Sequence, residues 1–425
     1  MKITNLSLAA IAAVAMTTGA MADIDMKIGG QAVVYYQTAQ VEGASDSHLF
    51  EQDGSRANAG IQLNANADLG NDFGLGLQGT ALSSWGLEKN VVSSEGVGTP
   101  ANPGVMQQAG GDLDTTNAGD YFAITKAYLT KKIGNTTLKA GRQELPKSLS
   151  PLAFSEGWNA VKNTFDAVVA INTDIKDTTL VGAFVSSTNG NGFGNDMSTF
   201  GDLGALGRTV PMTGGAYMLT AVNKSIKDVA ITGTYYALQD LDLNTSVAAP
   251  GANESGQALW LDVAAQNVGP VALGFQAGQI DPKNNLDKSN AYGAKVSGKA
   301  GDIALTLAYT QVDDGTVSMQ NVGTGVKTPL FTQMVANQGA IASAAQTTLV
   351  KAAMPVGAGT LIAQYGNTNG TNNTADSDEL DVIYKFKALG TNMLAAYVRA
   401  NNKGLRGSGE ENTANIVRVW SRYNF

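Results

Sequence analysis

An all-β fold, a transmembrane antiparallel up-and-down β-barrel of eighteen strands, is what this sequence predicts, and three observations predict it. Segments of about ten residues in which apolar and polar side chains alternate recur from one end to the other. The connections between them alternate strictly between short turns and long loops. The chain ends in VRVWSRYNF, a strand with one oily face and one cationic face, whose last residue is the aromatic Phe425.

The elements follow in order. Residues 26–38 open the series. Residues 59–68 and 73–83 turn at Gly70-Asn71-Asp72; 121–132 and 136–142 turn at Gly134-Asn135; 164–173 and 178–187 turn at 174–177. Residues 214–224 and 229–238 turn at Ile226-Lys227, and 257–266 and 270–279 at Gly269-Pro270. Residues 290–297 and 302–312, 346–353 and 359–366, and 379–387 and 392–400 turn at 299–301, 355–357 and 389–391. Residues 413–425 close the series. Glycine, asparagine and aspartate recur at the turns because they tolerate the positive φ that tight hairpins require. Between hairpins lie long connections such as 85–120, 187–213 and 313–345. Short turns on the periplasmic side and long loops outside are the asymmetry of outer-membrane barrels.

Composition agrees. Residues 1–22 read as a cleaved signal peptide, with Lys2, an apolar run and Ala20-Met21-Ala22, leaving 23–425 as one exported barrel domain. Cysteine is absent, so stability rests on backbone pairing and burial. A net charge of −8 argues against a nucleic-acid partner. A soluble sandwich or solenoid also alternates, but no repeat of 20–50 residues is visible and its edges would stay open.

The faces point to the contents. Placing the oily parity toward lipid puts Leu380, Val382, Tyr384 and Phe386 outward, with Ile303, Leu305, Leu307 and Tyr309, Val271, Leu273 and Phe275, and Phe165, Ala167, Val169 and Ile171. The other parity places Lys139, Asp166, Asp262, Lys295, Asp381, Lys385, Lys387, Arg399, Arg418 and Arg422 in the lumen. A lysine or arginine facing lipid at the midplane costs about 2–4 kcal/mol, which is why the charges belong inside. A charged wall in so wide a cylinder implies water, and hence passive passage of small hydrophilic solutes and ions with a weak lean to anions.

One connection, GRQELPKSLSPLAFSEGWNAVKNTFDA at 141–167, is too apolar for a solvated loop. Leu145, Leu149, Leu152, Phe154 and Trp158 need burial, which folding into the lumen supplies. KAGRQELPKSLSP (139–151), KNTFDA (162–167) and DTTLVGAF (177–184) resemble the OprD-like porins, including the campylobacterial major outer membrane proteins. TPLFTQM (328–334) and GAGTLIAQYG (357–366) are similar too. The resemblance implies an eighteen-stranded barrel, often trimeric, constricted by its third loop and in some members preferring small carboxylates such as amino acids. Carried over by position, Arg142, Glu144, Lys147, Glu156, Lys162 and Asp166 become constriction residues. The family's arginine and proline before Asn-Thr-Phe are replaced by Asn159 and Lys162, which counts against a substrate-specific basic track.

Acidic residues gather in the long connections: Asp46, Glu51 and Asp53; Asp112 and Asp114; Asp240 and Asp242; Asp313 and Asp314; Asp376, Asp378 and Glu379; Glu410 and Glu411. They make an anionic outer surface, and could bridge a divalent cation such as calcium to lipopolysaccharide; no other cofactor is expected. An enzyme is disfavoured because the one histidine, His48, lies next to Ser47 in the first outer loop, and residues adjacent in sequence rarely face each other productively. A structural or adhesive barrel with incidental transport is the other rival reading.

Overall fold

The computed structural model describes residues 25–42, 48–87, 90–95, 121–190, 197, 199–204, 212–242, 253–283, 286–371, 376–403 and 411–425. The expected signal peptide, together with Asp46, Asp112, Asp114 and Glu410, lies outside them. Twenty strands join in one sheet, two of them dipeptides beside the loops, β4 (Ser94–Glu95) and β9 (Gly201–Asp202). The other eighteen form the wall. They are β1 (Met26–Val41), β2 (Ser55–Gly70), β3 (Phe73–Ser83), β5 (Tyr121–Ile133), β6 (Thr136–Gln143), β7 (Phe165–Asn172), β8 (Thr178–Thr188), β10 (Ala216–Asn223) and β11 (Val229–Asp242), then β12 (Asn253–Val268), β13 (Val271–Asp281), β14 (Ser289–Ala300), β15 (Ile303–Val312), β16 (Ala345–Val356), β17 (Gly359–Gly370), β18 (Ser377–Ala388), β19 (Thr391–Lys403) and β20 (Glu411–Asn424). Each coincides with one predicted segment.

Every wall strand pairs antiparallel with the next, and β20 returns to β1 in a register running from Gln31↔Asn424 to Val41↔Ala414. The cylinder therefore has no free edge, as hydrocarbon requires of any β-structure that crosses it. Turn chemistry is as the sequence requires: Asp177 and Asp228 hold φ of 55° and 61° in the turns before β8 and β11. At the seam, Gly30 and Phe425 exchange both backbone hydrogen bonds, at 2.8 and 3.1 Å. A Cβ on Gly30 would stand 2.6 Å from the Phe425 ring, so glycine is what lets the terminal aromatic lie flat on the wall. Tyr423 stacks on it at 6.1 Å.

Outward side chains are apolar and exposed, among them Val34, Leu219, Leu259, Leu307 and Val350. Tyr217, Tyr235, Tyr309, Tyr365 and Tyr397 all face outward at similar distances from the periplasmic turns and make the outer aromatic girdle.

The main buried core lies inside the cylinder, where loops meet the inner wall. The third loop (144–164) buries Leu145, Leu152 and Ala153 against Met218, Tyr236, Ala258 and Trp260. The seventh loop (313–344), expected to lie outside, is folded in beside it and contributes Val317, Met319, Leu330 and Ile341 to the same core.

That lining inverts one assignment. Phe165, Ala167 and Val169 on β7 are buried on the inner wall, Ile171 packs with them, and Val168 faces outward at 52 % exposure. Where loops cover the inner wall, both faces of a strand are oily, and an outward choice based on apolarity alone fails. Arg399 is likewise misplaced: Leu394, Ala396, Val398 and Ala400 are buried inside, and Arg399 faces out beside Leu380, one alternation beyond Tyr397.

Candidate functional site

The third loop leaves β6 at Glu144 and returns at β7, and its path is fixed by hydrogen bonds to inward side chains. Thr220 donates to the Leu149 carbonyl at 2.8 Å, and the Tyr236 hydroxyl accepts from the Leu152 amide at 3.1 Å. At the far end of the loop, Arg418 Nη1 donates to the Trp158 carbonyl at 3.3 Å. Arg422 Nη2 donates to the carbonyls of Gly157 and Asn159 at 3.1 and 2.5 Å. Arg418 and Arg422 are thus lumenal, as alternation requires, and they grip the loop's backbone.

The seventh loop braces the third. Asn321 Nδ2 donates to the Phe154 carbonyl at 2.8 Å and to Glu156 Oε1 at 2.7 Å, and Glu156 also accepts from the Thr324 hydroxyl. Lys147 Nζ donates to the Thr328 carbonyl at 3.0 Å. Lys327 Nζ is buried and donates to the carbonyls of Met334 and Val335 at 3.0 and 2.8 Å. Glu379 and Asp381 on β18 accept the amides of Ala336 and Val335 at 2.8 and 3.3 Å, fastening this loop to the wall. Burial pushes the Glu156 carboxyl up and draws the Lys147 ammonium down to about 8, with Asp262 and Glu156 opposing the second shift. Lys147 and Glu156 therefore hold the two loops together, Glu156 buried and Lys147 partly open to the lumen.

A cluster of one carboxylate and two ammonium groups beside the third loop is also accessible. Glu144 lies between Lys126 at 2.5 Å and Lys162 at 2.7 Å, with side-chain exposures of 28 %, 21 % and 48 %. Burial alone would raise the Glu144 pKa, but the two ammonium groups outweigh it and the net shift is downward. Ion pairs this exposed stabilise by about 1 kcal/mol at most. Their larger effect is on what passes: two cations stand against one carboxylate. Lys139 lies nearby with its Nζ 3.8 Å from the Tyr128 ring centroid, and Lys295 sits over Phe331 at 4.1 Å. Lys385 and Lys387 face the lumen nearer the periplasmic end.

Two expected constriction residues are elsewhere. Arg142 and Asp166 pair at 3.1 Å on the outer side of the wall, with the guanidinium 3.6 Å from the Phe200 ring. Alternation explains this: Lys139 and Arg142 are three residues apart on one strand, so they take opposite faces. Sequence reasoning missed Lys126, which a β-bulge between Gln78 and Gly79 re-aims inward next to Thr125. Periodicity carries no signal for a bulge. It also missed Lys351, although its parity opposite the exposed Val350 was readable. Among the described residues, no group of three or more carboxylate, imidazole or thiol side chains is placed to hold a metal ion.

The family model for Gram-negative porins matches residues 8–405. No curated protein matches the sequence. Solved structures with the same fold include Pseudomonas aeruginosa OccK8 (OprE), at 15 % identity and a TM-score of 0.69, covering 94 % of this chain and 98 % of that one. Acinetobacter baumannii OccAB3 gives 13 % and 0.72, covering 94 % and 99 %. Pseudomonas aeruginosa OpdK, solved with vanillate, gives 13 % and 0.66, covering 94 % and 98 %. With its closed eighteen-stranded wall and inward third loop, the chain belongs to the Gram-negative porin family and is an outer-membrane channel for small solutes.

Proposed function

We propose that this porin passes small hydrophilic solutes and ions by passive diffusion, with a weak preference for anions set at the Lys126–Glu144–Lys162 cluster. The observation that carries the reading is the excess of accessible cations there, with Lys139 adding a further positive charge. A water-filled passage lined by one sign of charge raises the local concentration of the opposite sign. Zero-current potentials across a KCl gradient test it: a chloride-over-potassium preference of a few-fold supports the reading, and a cation preference overturns it.

Preference for small carboxylates is the narrower form of the same proposal. It is supported by the pairing of ammonium groups with aromatic rings at Lys139 and Lys295, and by the organic anion bound to a similar porin. Liposome swelling with amino acids, carboxylates and uncharged sugars of equal size separates the two forms.

Three surrounding roles belong to the same proposal. Residues 1–22 direct export, the barrels associate as trimers, and lipopolysaccharide meets the outer rim. Arg399, outward and beyond Tyr397, supports the last by standing at headgroup level. Mass spectrometry of the purified chain, with and without native lipid, tests all three.

A further inference from the structure

Lumen-facing cations gather at one end of the barrel. Lys139, Lys351, Lys385 and Lys387 lie within six residues of the periplasmic ends of their strands, and Lys27 and Arg422 occupy the matching ends of β1 and β20. Alternation fixes their direction, because Ile28, Leu138, Val350, Val382 and Tyr423 on the opposite parity are exposed to the outside. Lys27 also lines one recess with Asn64, Asn66, Lys126 and Tyr128. None of the six takes part in an ion pair among the described residues. In the same zone the carboxylates on described strands and of inward parity are Asp68 and Asp262, the latter accepting the indole N–H of Trp260. Strands β7–β13 contribute no lysine or arginine there, so the cations form an arc that begins with Lys295 and Lys299 on β14 and runs across the seam to β6. The opposite end carries Glu42, Glu51, Asp53, Asp240, Asp313, Asp314 and Asp376 in or beside the outer loops.

We propose that this periplasmic vestibule binds small polyanions, and that they occlude the channel from the periplasmic side. A monovalent anion meets each ammonium group singly in water and is held weakly. A molecule with several negative charges engages neighbouring cations together, and linked contacts multiply affinity. At about 0.1 M salt the Debye length is about 10 Å, comparable with the spacing of strands across such an arc, so the cations act together at low salt and singly at high salt. The acidic outer end repels the same molecules, which makes access one-sided. The inference deepens the anion-leaning reading, yet the two fail separately: zero-current potentials judge that reading, and sided block judges this one.

The test uses the full chain in planar bilayers with inorganic tripolyphosphate. Because the protein has no cysteine, Ile226→Cys in a periplasmic turn, labelled with an impermeant biotin-maleimide and capped with streptavidin from one side, reports orientation. Half-block from the periplasmic side is expected at a concentration at least tenfold lower than from the outer side. Lys351→Gln/Lys385→Gln/Lys387→Gln is expected to abolish that difference, whereas Lys176→Gln, in the turn before β8, keeps it. Should the triple variant fail to assemble, the wild-type block is measured from 50 mM to 1 M KCl, where a steep decline is expected. Equal block from both sides, no block, block that survives the triple variant, or block indifferent to salt overturns the proposal.

Discussion

Arg418 Nε donates to Gln37 Oε1 at 2.9 Å, joining residues 381 positions apart across the seam between the last strand and the first. The same guanidinium holds the third loop through the Trp158 carbonyl and lies 4.8 Å from the Trp158 ring. Barrel closure and constriction thus share one anchor. Hydrogen bonds to a charged group contribute about 1.5–3 kcal/mol each. Arg418→Met is expected to lower the temperature at which the folded band converts to the unfolded one on gels, and to increase open-channel current noise as the loop loosens.

Glu144 neutralises half of the Lys126 and Lys162 charge. A unit charge about 7 Å from an ion's path in water is worth about 0.6 kcal/mol, a two- to threefold change in local ion concentration. Glu144→Gln is expected to raise the chloride-to-potassium permeability ratio by about that factor, and Lys162→Gln to lower it. Both variants should melt within a few degrees of wild type. Zero-current potentials and thermal gel shifts check the two halves.

Arg142 and Asp166 face away from the lumen. Arg142→Leu is therefore expected to leave the permeability ratio unchanged. A shift as large as that of Lys162→Gln would return Arg142 to the pore.

Burial holds the Lys147 ammonium down at about 8, below its unfolded value near 10.5. Between those two values the unfolded chain binds more protons than the folded one, so this residue's contribution to stability rises with pH across that window. The difference in thermal midpoint between wild type and Lys147→Met is expected to move in favour of wild type from pH 8 to 10, and to be flat from pH 5 to 7.

Gly30 leaves room for the ring of Phe425. Gly30→Val places side-chain atoms where that ring lies, and overpacking of this kind costs about 1–3 kcal/mol. The fraction of chains reaching the heat-modifiable folded form is expected to fall, and deleting Phe425, which removes the two backbone bonds as well, to reduce it further.

Strand count, turn positions and the closing strand were legible because each rests on a local rule: alternation with period two, turn residues that accept positive φ, and an aromatic at the rim. The facing of β7 and β19 was not. Phe165, Ala167 and Val169, and likewise Val398 and Ala400, are oily toward the lumen because folded-in loops and neighbouring side chains cover the inner wall. Facing is then decided by contacts far apart in sequence. The third loop was readable from its apolar residues, and the seventh carries the same signal in Val317, Met319, Leu330, Phe331 and Met334. Of the site, Glu144 and Lys162 could be read from the chain, whereas Lys126 depends on a bulge and Lys147 and Glu156 on the brace between two loops.

Gly157 and Asn159 are held by Arg422, 265 and 263 positions later in the chain. Segments so distant must wait for one another in time. The narrow point cannot be finished until the final strand arrives, so a chain truncated before β20 would lack its gauge along with its last stave. Completion of the wall and setting of the bore are, for this molecule, a single late event.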